Sequence, residues 1–186
     1  MHVKGIDGST SETKSEAELK ARQALRRIYT FLRKVPGCEN LQIHFFANEC
    51  GIRETKRIVG EKKVTLETYT SGYVWPDAVC YSFYPIDIHH ESNNTIDIRP
   101  LNPGVVPTIP YGALIPRGSD HVLAAGRCIS GDREAHSAYR VQASCMATGQ
   151  AAGVAAAIAA QQNVSVRNVD IGEIRETLKK FNAIVP

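Results

Sequence analysis

Residues 144–161 read SCMATGQAAGVAAAIAAQ, and this stretch decides the fold class. Gly149 and Gly153 stand four apart, and Ala147, Ala151, Ala152, Ala155, Ala156, Ala157, Ala159 and Ala160 add almost no bulk around a helix. A rod this thin is expected to pack tightly between a sheet and another layer. Its start has a second capacity. The first turn of a helix leaves N–H groups unpaired and carries a partial positive charge, so it favours a negative group.

The residues just upstream fit that picture. His121 to Ala125 (HVLAA) is a continuous apolar run ending at Gly126, the pattern of a central parallel strand buried on both faces. In open α/β sheets, ligands sit outside the carboxyl ends of such strands. Gly126 permits close backbone approach, and Arg127 and Arg140 can face an anion or form ordinary ion pairs. A polar loop separates the strand from the helix. Downstream, Asp170 with Glu173 three places on opens a last helix with Ile174, Leu178 and Phe181 on one face.

Toward the N-terminus the texture changes. From Leu41 to Ile115, short β-branched and aromatic segments alternate with turn residues. Leu41–Phe46, Ile52–Val59, Val79–Tyr84, Ile86–His89 and Ile96–Ile98 read as strands, Thr65–Tyr69 as one or two helical turns, and Ser92-Asn93-Asn94 as a turn. The simplest assembly is a mostly antiparallel sheet covered on one face by a first helix. That helix is expected from Ser15 to Val35, with Ser15 and Glu18 as a capping box, Leu25, Ile28, Leu32 and Val35 on its apolar side, and Pro36-Gly37 as its stop. The expected organisation is a tail over 1–14, a helix-and-sheet domain over 15–118 and a strand-and-helix segment over 119–186. The fold class is α/β, or α+β if this is a fragment.

Composition narrows the function classes. The 186 residues are 43% hydrophobic and 22% charged, ordinary for a globular chain. The net charge of +3 comes from 22 basic and 19 acidic side chains, too balanced and scattered for a nucleic-acid surface. No apolar run approaches the roughly 20 residues that span a bilayer, and the polar start has no secretory pattern, so no membrane partner and a cytoplasmic setting are expected. Cys38, Cys50, Cys80, Cys128 and Cys145 are odd in number, far apart and without metal-ligand spacing, which suits a reducing compartment. No metal site is expected; the best Cys/His set is Cys38, His44, Cys50, His89 and His136.

Two groupings carry candidate chemistry. Strand alternation places Arg53, Thr55 and Arg57 on one face, able to line a cavity and bind a carboxylate, or to form a solvated edge. Asp87 and His89 also share a face. An imidazole oriented by a carboxylate takes protons readily, although an exposed pair at a strand end is the plain alternative. His90 has no partner by alternation. Cys145 stands near a helix start, where a thiolate is favoured, but without a second cysteine close in sequence it reads as small packing.

Several motifs now carry a resemblance. Ala124-Ala125-Gly126-Arg127, and the run from Ala135-His136 through Tyr139-Arg140-Val141-Gln142 to Cys145-Met146-Ala147-Thr148-Gly149-Gln150-Ala151-Ala152-Gly153, are similar to the C-terminal strand, turn and helix of FAD-dependent oxidoreductases with the glutathione-reductase type of flavin fold. Gly51-Ile52-Arg53-Glu54-Thr55-Lys56-Arg57-Ile58-Val59-Gly60-Glu61 resembles that family's G-I-R-E-T-R-R-I-x-G-E motif, and Tyr84-Pro85-Ile86-Asp87-Ile88-His89 its Y-P-I-D-x-H motif. Ile109-Pro110-Tyr111 through Leu114-Ile115-Pro116 resembles its I-P-Y-x-x-L-x-P segment. The order is the family's own, over roughly residues 37 to 186.

The resemblance implies FAD, with Gly126, Arg127, Arg140, Ser144, Cys145, Met146 and Gly149 at the cofactor. It further implies Asp87 and His89 as a catalytic pair, and Arg53, Thr55 and Arg57 at a small-molecule substrate. The family's G-x-G-x-x-G loop, which cradles the FAD pyrophosphate, is missing from the 14 glycines. The chain is therefore expected to be a C-terminal portion that is inactive alone, prone to self-association, and completed by an N-terminal FAD-binding half. A non-catalytic structural or interaction module on a flavoprotein scaffold is the alternative.

Overall fold

The computed structural model describes Val3, residues 5–89 and residues 95–186. His90 and the turn expected at Ser92-Asn93-Asn94 lie outside the described residues. The chain divides into two compact units, Met1–Lys56 and Arg57–Pro186.

The first unit is built on α1 (Ser11–Leu32). Its cap is Thr10, whose Oγ1 accepts from Thr13 N at 3.3 Å, so residues 11–14, expected in a tail, are helical. The expected capping box at Ser15 and Glu18 does not form. Ser15 already lies inside the helix and donates to Ser11 O at 2.8 Å, while the Glu18 carboxylate accepts from Cys50 N. An upstream hydroxyl with extended backbone wins the cap because N-capping requires non-helical φ/ψ at that position. Ala17 is the one buried residue of α1.

The strands expected at Leu41–Phe46 and Ile52–Val59 are not formed. Both segments run without ladder pairing, and a strand is stabilised by its partner rather than by its own propensity.

The second unit holds the core. After α2 (Leu66–Thr70), capped reciprocally by Thr65 and Thr68, come β1 (Ala78–Tyr81), β2 (Ile86–His89), β3 (Ile96–Arg99) and β4 (Thr108–Pro110). They pair as two separate antiparallel ribbons, β1 with β4 and β2 with β3. One continuous sheet was expected. A bulge between Ala78 and Cys80 breaks the register of the first ribbon.

The parallel strand expected at His121–Ala125 is also not formed. Val122 is 53% exposed, and the segment's backbone is held by Ala124 N donating to Leu114 O at 2.8 Å. Its composition suits a strand buried on both faces, but among the described residues no strand lies alongside to complete a ladder. A short turn of 3-10 helix at Gly126–Cys128 follows. The expected polar loop contains α3 (Arg133–Tyr139), capped by Asp132, whose side chain accepts from Ala135 N.

Next comes α4 (Gln142–Gln162), which the sequence places at 144–161. Ser144, Thr148, Ala151, Ala155, Ile158 and Ala159 face the core. Gly149 and Gly153 do not, since a Cβ on either would meet no atom within 4 Å. The rod is therefore packed on one side only, where close packing all round was expected. By length and composition α4 is also apolar enough to cross a membrane, with a third of its apolar window buried, contrary to the expectation that no such run exists. Finally α5 (Ile171–Lys180) starts at Asp170, whose Oδ1 accepts from Glu173 N at 2.9 Å, as the sequence indicates.

Tyr69, Ile86, Ile109, Leu114, Ile129, Tyr139, Ile174 and Leu178 are among the large apolar members of one cluster. At about 1.5–3 kcal/mol for each fully buried large apolar side chain, that cluster is what holds the second unit together.

Candidate functional site

The site grows from β2. Ile86 and Ile88 point into the core, so alternation turns Asp87 and His89 to the other face. There His89 Nε2 lies 3.3 Å from Asp87 Oδ1, the contact expected from their spacing. Across the ribbon Asp87 stands opposite Ile98, and His89 opposite Ile96. Both isoleucines are more than half exposed, so the ionisable pair sits on a partly apolar face.

Two bonds tie this pair to α3 and the head of α4. Asp87 N donates to Ser137 Oγ at 3.0 Å, and Arg140 Nη2 donates to Asp87 O at 2.9 Å. Arg140 is the C-cap of α3, two residues before α4 begins. The sequence offers Arg140 as an anion contact. In the fold its guanidinium is engaged by the backbone of β2 and joins the Asp87–His89 ribbon to the α3–α4 junction.

The start of α4 is open. Val141 at the N-cap supplies no side-chain hydrogen bond, so the first amides there are available to a partner. Gly126 has φ +75°, a left-handed conformation that glycine adopts at no steric cost. Its N–H donates to Thr148 Oγ1 at 3.0 Å. The turn at Gly126–Cys128 is further fixed by His136, which is fully buried and whose Nε2 donates to Arg127 O at 2.8 Å. A carbonyl only accepts, so that ring nitrogen carries the hydrogen.

The remaining cofactor candidates separate. Ser144 turns inward: its hydroxyl shares a hydrogen bond of 2.8 Å with Ser82 Oγ, which in turn meets Tyr69 OH at 3.0 Å. This buried hydroxyl chain fixes the helix head against the segment leaving β1, and burial pushes the Tyr69 phenol up. Cys145 donates to Arg140 O at 3.5 Å. Burial raises its thiol, with Arg127 acting in the opposite direction. Met146 is 74% exposed, and Gly149 lies on the open face of α4.

The substrate candidates are not gathered by a strand, because none forms there. Arg53 and Thr55 belong to the first unit and Arg57 to the second. The positive charge of Arg57 favours the ionised form of the Tyr139 phenol, which burial pushes strongly the other way. Among the described residues no group of three His, Cys, Asp or Glu side chains is arranged to hold a metal ion. A largely apolar groove of about 630 Å³, lined by residues that include Val74, Tyr81, Val106 and Ile184, contains none of the site candidates.

Sequence reasoning missed Thr148, Ser137, Ser82 and Tyr69. All four are hydroxyl residues in apolar or helical surroundings. The usable signal was Thr148, a β-branched hydroxyl in a helix rich in Ala and Gly, where such a side chain normally has a backbone partner.

Comparison with known proteins decides the family. A model of the family described as FAD dependent oxidoreductase matches residues 2–178. The chain belongs to this family. No curated protein and no solved structure matches it. FAD is the cofactor of the family, and its fit here is one-sided. The uncapped α4 amides beside the Gly126 turn suit the electron-rich end of a flavin ring. No G-x-G-x-x-G exists in the 186 residues to hold the pyrophosphate.

Proposed function

We propose that this chain is the C-terminal part of an FAD-dependent oxidoreductase that removes a hydride from a small polar substrate. The observation that carries the reading is Arg140, which joins the backbone of Asp87 to the head of α4. Through it the acid–base pair and the open helix terminus share one frame. The flavin, when bound, takes two electrons from the substrate. The protein's share is to receive a proton at His89 Nδ1, to hold that imidazole through Nε2 with Asp87, and to present the α4 amides to the ring's developing negative charge. Gly126, Arg127, Cys145, Met146 and Gly149 border that end. Arg57, in the second unit, is assigned to a substrate carboxylate. The Ser144 side chain positions the helix through Ser82, while its backbone amide belongs to the helix head offered to the ring.

The pyrophosphate cradle, and with it a Rossmann-like parallel layer, is assigned to an N-terminal half. Exposed Phe83 (72%), Val122 (53%) and Met146 (74%) support a surface that another layer covers. Alone, the chain is then inactive, self-associating and a poor FAD binder, because affinity lost with half the contacts is not recovered from the rest. The five free cysteines support a reducing, cytoplasmic setting.

The test is a titration of the purified chain with FAD, followed by flavin absorbance and fluorescence. No saturable change at micromolar concentrations is expected, and tight binding would end the divided-site reading. In the complete enzyme, His89→Asn is expected to slow turnover about 10²–10⁴-fold, the range for losing a general base. An unchanged rate removes His89 from the chemistry.

A further inference from the structure

Two cysteines seventeen positions apart meet at one turn. Cys145, in the first turns of α4, places its Sγ 3.7 Å from where a Cβ on Gly126 would stand. Cys128, at the end of the same short turn, donates its thiol to Ala125 O at 3.2 Å. The two sulfurs thus flank Ala125–Gly126. Cys128 is among the groups that raise the Cys145 thiol, after burial. Cys128 is exposed, Cys145 half-buried and Cys80 buried.

We propose that Cys128 and Cys145 form a peroxide-sensitive dithiol, in which Cys128 meets the oxidant and Cys145 resolves it. The sulfur of Cys128 attacks one oxygen of hydrogen peroxide. The O–O bond breaks, leaving a sulfenic acid on Cys128 and one water. Cys145 sulfur then attacks the sulfenic sulfur, the S–O bond breaks, and the Cys145 proton leaves with the oxygen as a second water. One peroxide is reduced to two waters while two thiols become one disulfide.

The movement falls on the Cys128 side chain. Its carbonyl accepts from Ile58 N at 2.9 Å, and rotation of the side chain releases only the thiol's bond to Ala125 O, a weak one to give up. The product staples the Gly126 turn to the head of α4. Burial holds the Cys145 thiol up and the neighbouring Arg127 charge offsets part of that rise, so Cys145 suits the second, resolving step better than the first encounter with peroxide. The inference rests on this chain's own thiols and is independent of whether FAD binds.

The full chain is treated in its native state with one equivalent of hydrogen peroxide, alkylated, and digested with trypsin without reduction. Cleavage after Arg127, Arg133, Arg140 and Arg167 puts the two thiols on separate peptides, 128–133 and 141–167. The expected product is that pair joined, two hydrogens lighter than the sum, with buried Cys80 unmodified as a marker of folded protein. In Cys145→Ala the sulfenic acid of Cys128 accumulates and is trapped by dimedone several-fold more than in the unaltered chain. Cys145→Ser checks that the effect follows the thiol and not the packing. Three results overturn the proposal: no linked pair, Cys128 bonded between chains instead, or equal trapping with and without Cys145.

Discussion

Residues 41–46 (LQIHFF) and residues 86–89 (IDIH) have the same texture and opposite outcomes. Both are rich in branched and aromatic side chains bounded by turn residues. The second is β2, paired residue for residue with β3 and docked on α3 through Ser137 and Arg140. The first runs outside any ladder in a unit where, among the described residues, α1 is the one helix or strand, with Phe45 85% exposed. Strand propensity is therefore permission, and pairing plus a buried face is the cause.

The largest expected effect that sharpens this contrast is in the core of the second unit. Leu178, 1% exposed, should cost about 2–5 kcal/mol on truncation to Ala. Phe45→Ala in the first unit should change stability by less than about 0.5 kcal/mol. Urea unfolding followed by far-ultraviolet circular dichroism measures both. Comparable losses would break the contrast, because Phe45 would then be holding a core.

A smaller effect is set by pH. Burial pushes the Tyr111 phenol up to about 12, against an unfolded value of about 10. The unfolded chain loses that proton first, so the stabilisation is complete below pH 10 and drains away as pH rises from about 10 towards 12. Tyr111→Phe should flatten that fall in the urea midpoint, in part, because burial also raises Tyr69 and Tyr139. An identical slope in the variant would mean that Tyr111 titrates as though solvated.

The smallest concerns the end of α4. Asn163 closes the helix with φ 54° and ψ 45°, a left-handed position where glycine carries no Cβ penalty. Asn163→Gly should leave stability within a few tenths of a kcal/mol, whereas Asn163→Ala should lose about 1 kcal/mol. A thermal shift of the same size in both variants would show that the Asn side chain, and not the backbone, sets the cap.

Much of the site was legible as spacing. Asp87 and His89 two apart on a strand had to share a face, and they do. Asp170 capping α5 was equally local. What could not be read was the direction of side chains that answer to distant partners. Ser144 stands at the helix start as expected, yet it points to Ser82, sixty-two residues away. Arg140, able in sequence to meet any anion, is engaged by the backbone of β2. The strand at 121–125 failed for a related reason: its apolar run specifies burial on two faces, and burial needs neighbours.

The sequence by itself determined the local order: the small-residue helix, the capped α5, the α2 turn, the alternation of β2 and the family to which the chain belongs. Those follow from interactions within a few residues, or from motifs kept in order along the chain. The tertiary structure alone decided which apolar segments found a partner, that Thr148 holds Gly126, and that Cys128 and Cys145 face one turn. These contacts join residues tens of positions apart, and no local periodicity encodes which distant group completes a hydrogen bond or fills a face.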